Sequence, residues 1–209
     1  SFDINLIKNF NCNVFCFDPT PRAIQHIKNL EENTNQNIPF YSGPDKIAYN
    51  ANKAILNKFH FHPFGIWNKN TTIRFYSPQD PAHVSHSITN LQKTETYFEA
   101  QCYTLKTLMN KFKHKKLNLL KLDIEGAEIA VINYILKEKI DIDCLCFEFD
   151  EFAGNNLKQN KDIPASKNKA DKIIKRLIKN GYELIYRSGY ISLTFLKKEI
   201  CNNLKIKRG

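Results

Sequence analysis

Glycine is scarce in this chain. Of its 209 residues only seven are glycine, at 43, 65, 126, 154, 181, 189 and 209, so none precedes Gly43. No Gly-x-Gly-x-x-Gly run occurs, which disfavours a plain dinucleotide-binding oxidoreductase. No apolar stretch approaches the roughly 20 residues that span a bilayer. No two of the six cysteines (Cys12, Cys16, Cys102, Cys144, Cys146, Cys201) stand as Cys-x-x-Cys, and Cys144 and Cys146 alternate on a short apolar run. That pattern disfavours a zinc or disulfide framework and reads as buried, reduced thiols of a cytoplasmic protein. There is no initiator methionine; the one methionine is Met109.

Arginine is also sparse. The formal net charge is +10, yet the arginines are only Arg22, Arg74, Arg176, Arg187 and Arg208, and lysine carries the rest. Phosphate and base recognition draws on the planar fork of arginine, so no nucleic-acid partner is expected. The densest basic run, Lys111-Phe112-Lys113-His114-Lys115-Lys116, closes an expected helix, where cations complement the helix dipole without any partner. With 42% apolar residues and no long linker, 1–209 reads as one domain with a substantial core. Its oligomeric state is not legible.

The most informative segment is Leu119-Leu120-Lys121-Leu122-Asp123-Ile124-Glu125-Gly126-Ala127-Glu128. A leucine-rich run ends on acids and a glycine, and Ala127, Val131, Tyr134 and Ile135 then repeat at helical spacing. This is the pattern of a buried parallel strand that delivers acids at its carboxyl end and turns into a helix. Ligands of open α/β sheets bind outside such carboxyl ends. A second run, Val14-Phe15-Cys16-Phe17, stops at Asp18-Pro19-Thr20-Pro21, and Pro21 is placed to open a helix carrying Ala23, Ile24 and Ile27. Alone, Asp18 reads first as a cap or turn residue. Beside Asp123 on another strand end, the reading as an acceptor for ribose hydroxyls gains weight.

Strands and helices alternate along the chain, the order of a parallel sheet. Residues 2–10 read as helix, 33–45 as loop, Phe59–Ile66 as strand, and Thr72–Tyr76 as β-rich. A long loop over 77–95 leads to a strand at Phe98–Tyr103 and a helix at Leu105–Phe112. A helix at 127–138, a strand at Cys144–Phe149, a polar segment at 154–168 and a helix at 169–180 follow. Tyr182–Arg187 and Tyr190–Phe195 flank Ser188-Gly189, a hairpin turn.

Ser1-Phe2-Asp3, Phe17-Asp18-Pro19-Thr20-Pro21, Phe64-Gly65-Ile66, Ser85-His86-Ser87-Ile88 and, above all, Lys121 through Glu128 resemble the FkbM family of S-adenosylmethionine-dependent methyltransferases, in its bacterial form. The likeness runs from Ser1 to about Phe149, so 1–149 is the family-like core and 150–209 a C-terminal helix and closing hairpin. The resemblance implies an α/β fold of the class I methyltransferase (Rossmann-like) type, doubly wound on a mostly parallel sheet with an antiparallel C-terminal hairpin. The family sets a first strand and a glycine-rich cofactor turn before its first helix, whereas this chain enters at that helix. It therefore reads as an N-terminally truncated chain lacking that strand and loop. A form extended upstream is expected to bind S-adenosyl-L-methionine better than the chain as it stands.

The resemblance further implies cofactor contacts at Asp18, Pro19, Gly65, Ile66 and Asp123. Catalysis would fall to Asp123, Glu148 and Glu125, with Asp123 near the methionine portion of the cofactor. Methyl transfer to a hydroxyl is an in-line displacement that needs positioning and removal of a proton. Asp123 and Glu148 are the better bases, acting directly or through a divalent metal. Glu128 reads first as an acid that suits a helix N-terminus. Where bacterial relatives continue with histidine after Glu148-Phe149, this chain has Asp150-Glu151. His83 and His86 as a metal pair are a minor reading against ordinary polar loop histidines. His60 and His62 look like the solvent side of a strand and take no role.

The leading expectation is an O-methyltransferase acting on a hydroxyl of a sugar, glycan or other small molecule. The alternative is a truncated, non-catalytic module of the same fold. A nucleic-acid methyltransferase is disfavoured, because Asp123-Ile124-Glu125-Gly126 replaces the Asn/Asp-Pro-Pro-aromatic turn of base-amino enzymes.

Overall fold

The structure is a computed structural model and describes residues 2–42, 47–77, 86, 88, 93–149, 163–188 and 192–204. The chain forms two compact units, Ser1–Gly65 and Ile66–Gly209.

The first unit runs α1 (Phe2–Phe10), β1 (Val14–Phe17), α2 (Pro21–Asn35), β2 (Tyr41–Ser42), β3 (Ile47–Ala48), α3 (Lys53–Leu56) and β4 (Phe59–His62). Ile4 and Ile7, one turn apart on α1, are buried with Ile55, and Val14, Tyr49, Ala51 and Phe59 pack against them. Strands β1 and β4 pair in parallel, Val14 with Phe59 through Phe17 with His62. That pairing sets Phe15 against His60, with ring centroids 4.5 Å apart, and Phe17 against His62 at 5.5 Å. His60 and His62 are accordingly half-buried in a stack of rings, not on an open strand face. Helix α2 opens as expected on Pro21, with Thr20 as its N-cap, and it reaches Asn35, three residues into the expected loop.

The expected strand Phe59–Ile66 is divided into β4 and β5 (Gly65–Ile66), because Pro63 has no N–H to continue the ladder.

From Ile66 onward come β6 (Thr71–Tyr76), β7 (Tyr97–Tyr103), α4 (Leu105–Lys111), β8 (Leu117–Leu122), α5 (Glu128–Lys137), β9 (Ile142–Glu148), α6 (Ile163–Lys179), β10 (Tyr182–Ser188), β11 (Ser192–Lys197) and α7 (Lys198–Leu204). The main sheet has the order β10-β11-β9-β8. Strands β8 and β9 are parallel, with α5 as their crossover, while β11 is antiparallel to both β9 and β10. The expected closing hairpin is thus β10–β11. Leu145 and Phe147 face a core that holds Val131, Ile132 and Ile135 of α5 and Ala170, Ile173 and Leu177 of α6. Phe147 stacks on Phe195, centroids 5.8 Å apart and planes within 2°.

One continuous doubly wound sheet is not what the described strands form. They make separate sheets: β1-β4, β2-β3, β5-β7-β6 and β10-β11-β9-β8. Among the described ladders β1·β4 and β8·β9 are parallel, while β6·β7 is antiparallel. Sheet continuity requires a hydrogen-bonded neighbour at each edge, and the ladders among the described residues stop at these groups. Helix α4 ends on Lys111, the first residue of the basic run, with Phe112 as its C-cap, and Lys116 pairs with Asp143 at 2.8 Å. No helix among the described residues is long and apolar enough to cross a membrane.

Truncating Phe147 empties the centre of this core. Phe147→Ala is expected to cost about 3–5 kcal/mol of unfolding free energy, read by urea titration; a loss below about 1 kcal/mol would contradict the packing described.

Candidate active site

Within the first unit, the end of β1 is fixed by short polar loops. The Asp18 backbone N–H donates to the His62 carbonyl at 3.3 Å, carrying the parallel ladder one step past the strand. Asp18 Oδ1 then accepts from the Thr20 N–H at 2.8 Å, and Thr20 Oγ1 accepts from the Ala23 N–H at 3.2 Å. Thr20, not Asp18, is therefore the helix cap, and Asp18 closes the turn that precedes it. One carboxylate oxygen is used in that turn.

Asp18 also lines a cavity of about 170 Å³ together with Asp3, Cys16, His26, Tyr49 and Phe61. Whole-ligand pockets run to roughly 300–1,000 Å³, so this cavity has room for no more than part of such a ligand. Burial, reinforced by the carboxylates of Asp3 and Asp18, pushes the Cys16 thiol up to about 12, which makes it a neutral wall. His26 is held below the ordinary imidazole range by burial and by Arg22, and its Nε2 lies 3.1 Å from Tyr49 Oη. Pro19, beside Asp18, is half-buried.

The second unit contributes the end of β8. The last paired residues of the parallel ladder are Leu122 and Phe147. Asp123 and Glu148 stand one step beyond, at the same carboxyl edge and on the face opposite the core. Asp123 Oδ2 accepts from Lys121 Nζ at 2.6 Å, and its side chain is 51% exposed. Glu148 Oε1 accepts from Ser192 Oγ at 3.2 Å. Between Asp123 and α5 the backbone turns through left-handed conformations at Glu125 (φ 52°) and Gly126 (φ 95°). The φ at 126 is one that side chains rarely adopt, which accounts for the glycine there.

Glu128 holds this turn. Only 1% exposed, it accepts the Ile124 N–H on Oε1 at 2.9 Å and the Gly126 N–H on Oε2 at 3.0 Å. The helix has no side-chain cap at Ala127, so the carboxylate of its first residue reaches back and does the capping.

Gly65 is buried in β5, and Ile66 packs against the core of the second unit, so its side chain faces inward. His86 lies edge-on to Phe98, centroids 5.2 Å apart. His83 and Asp150 lie outside the described residues. Among the described residues no group of three or more His, Cys, Asp or Glu is arranged to hold a metal. Sequence reasoning missed Asp3, His26 and Tyr49. His26 could have been found, since it falls in the stripe Ala23, His26, Ile27, Leu30 at helical spacing. Nothing in the local pattern marks Tyr49.

Residues 6–184 match the family described as Methyltransferase FkbM domain. The chain belongs to the FkbM methyltransferase family. As an FkbM protein it is a methyltransferase, and the family suggests a class I methyltransferase fold and a small-molecule acceptor. The match spans Asp18, Gly65, Asp123, Glu125 and Glu148, and ends within β10, before the β11 residue Ser192 that holds Glu148. Searches of curated proteins and of solved structures returned no match.

The Glu128 clamp makes a stability prediction specific to this FkbM turn. Glu128→Ala leaves the Ile124 and Gly126 N–H groups without their acceptor and is expected to cost about 2–3 kcal/mol. Glu128→Gln keeps a single acceptor oxygen and should cost about 1 kcal/mol. Equal melting temperatures for both variants and the parent would contradict the clamp.

Proposed function

We propose that this methyltransferase moves the methyl group of S-adenosylmethionine to a hydroxyl of a sugar, glycan or other small molecule. The observation that supports this reading is the β8·β9 register, whose last pair, Leu122 with Phe147, is followed on the two strands by Asp123 and Glu148. Acids at a carboxyl sheet edge suit a proton acceptor for an incoming hydroxyl.

The first unit's cavity fits part of such a cofactor. Its carboxylates suit ribose hydroxyls, and Ile27, Phe59 and Phe61 supply apolar walls for a flat base. Asp18 Oδ2 would accept the ribose hydroxyl protons while Oδ1 keeps the turn closed. Pro19 and Gly65 in the first unit, and Ile66 and Asp123 in the second, are the further proposed cofactor contacts. When bound, the cofactor supplies the electrophilic methyl. Glu148 or Asp123 takes the proton from the acceptor oxygen as that oxygen attacks, with Glu125 beside them as the third candidate.

Asp18→Asn is the informative variant, because an amide oxygen still accepts from Thr20 while the carboxylate is gone. In the full-length protein it should weaken S-adenosylmethionine binding by about 1.5–3 kcal/mol, with the melting temperature held. A changed melting point with unchanged affinity would assign Asp18 to the turn alone.

Asp123→Asn and Glu148→Gln keep shape and remove a base. Single-turnover methyl transfer to an identified acceptor should fall by about 10²-fold or more in at least one of them. Cofactor affinity should hold better in Glu148→Gln. Full activity in both would contradict the assignment, and loss on chelation alone would move the proton step to a metal-bound route.

A further inference from the structure

Cys144 and Cys146 stand two apart on β9 and so project from one face of the sheet, opposite Leu145 and Phe147. Their sulfurs lie 4.0 Å apart. Both are partly exposed, unlike the buried Cys102 and Cys201. Each neighbouring element adds a polar group. From β11, Thr194 is in register with Cys146 and its Oγ1 donates to Cys146 Sγ at 3.6 Å. From β8, Lys121 is in register with the same cysteine.

These surroundings are unequal. A negative charge on Cys146 receives the Cys144 S–H, the Thr194 O–H and the field of Lys121, itself paired with Asp123 at 2.6 Å, and together these outweigh burial and lower its thiol to about 6. A charge on Cys144 would meet the sulfur of Cys146, its own burial, Asp143 and Cys201, all of which raise it. Thr194 Oγ1 and Lys121 thus favour a thiolate on Cys146 over one on Cys144. A partly exposed thiolate beside a second cysteine is the usual setting of a thiol that reacts selectively.

We propose that Cys146 is a modification site that takes up a low-molecular-weight disulfide of the glutathione type, with Cys144 and Thr194 as positioning residues. The Cys146 thiolate attacks one sulfur of the disulfide. A new S–S bond joins that sulfur to Cys146 as the old one breaks, and the other half leaves as a thiolate that takes a proton from water. Cys146 is oxidised and the departing half is reduced, so no further oxidant is needed.

The test incubates the full-length protein with glutathione disulfide from about pH 5 to about pH 9, quenches in acid and maps the adducts by peptide mass spectrometry. Cys146 should be labelled about tenfold faster than Cys144 or Cys16 at neutral pH, with a rate midpoint near 6. Cys144→Ala, which removes the donor, should move that midpoint up, and Cys144→Ser, which restores an O–H, should return it. A wild-type profile that follows free glutathione, no adduct at Cys146, or a midpoint indifferent to Cys144→Ala would each overturn the proposal. The wild-type profile decides even if a variant fails to fold.

Discussion

The carboxylate of Glu128 is the constraint on which the turn at the second unit's acidic sheet edge depends. It is buried at the start of α5 and closes on the N–H groups of Ile124 and Gly126. A loop between a strand and its crossover helix must satisfy such donors without water, and this one does so from the helix side. The turn is thereby held with Glu125 and Gly126 in left-handed conformations, and Asp123 leaves β8 at a fixed height. The parallel ladder then places Glu148 at that same height on the next strand. Packing of Phe147 on Phe195 fixes the ladder from the other face. The acids are set by backbone geometry and core packing rather than by contacts between themselves.

Electrostatics in this protein is local. A formal charge of +10 describes the whole chain, yet the sheet-edge groups answer to their immediate neighbours. Cys16 and Cys146 show this for one residue type. Both lie on strands and both are partly exposed. Cys16 is pushed to about 12 by burial and by Asp3 and Asp18, while Cys146 is drawn down to about 6 by donors from Cys144 and Thr194 and by Lys121. Net charge and exposure class would have ranked them alike.

Elements carried by periodicity were legible in the sequence: α1, the core-facing side of α5, β7, β9 and the closing hairpin lie close to where the pattern placed them. Two-residue strands such as β2 and β3, and the short helices α3 and α7, were not legible, because too few residues repeat to show a period. Sheet order was legible only in part. A strand's alternation tells which face is buried but not which strand lies beside it, so the antiparallel pairing of β6 with β7 had no signal.

At the site, the strand-end position of Asp123 and Glu148 followed from apolar runs ending on acids. Asp18 was legible as a turn residue, but its partner Thr20 took the capping role. Glu128 was read as a helix-terminus acid, and its long reach back to residues 124 and 126 depends on a loop conformation that no local propensity specifies.

We propose that the end of β1 in the first unit and the β8–α5 turn in the second each contact the cofactor. The most direct measurement is the amide spectrum of isotope-labelled full-length protein titrated with S-adenosylhomocysteine. The account predicts shifts concentrated at 16–20, 65–66 and 122–126, with the basic run 111–116 unmoved. Saturating shifts confined to other residues, or none at these three segments, would contradict it.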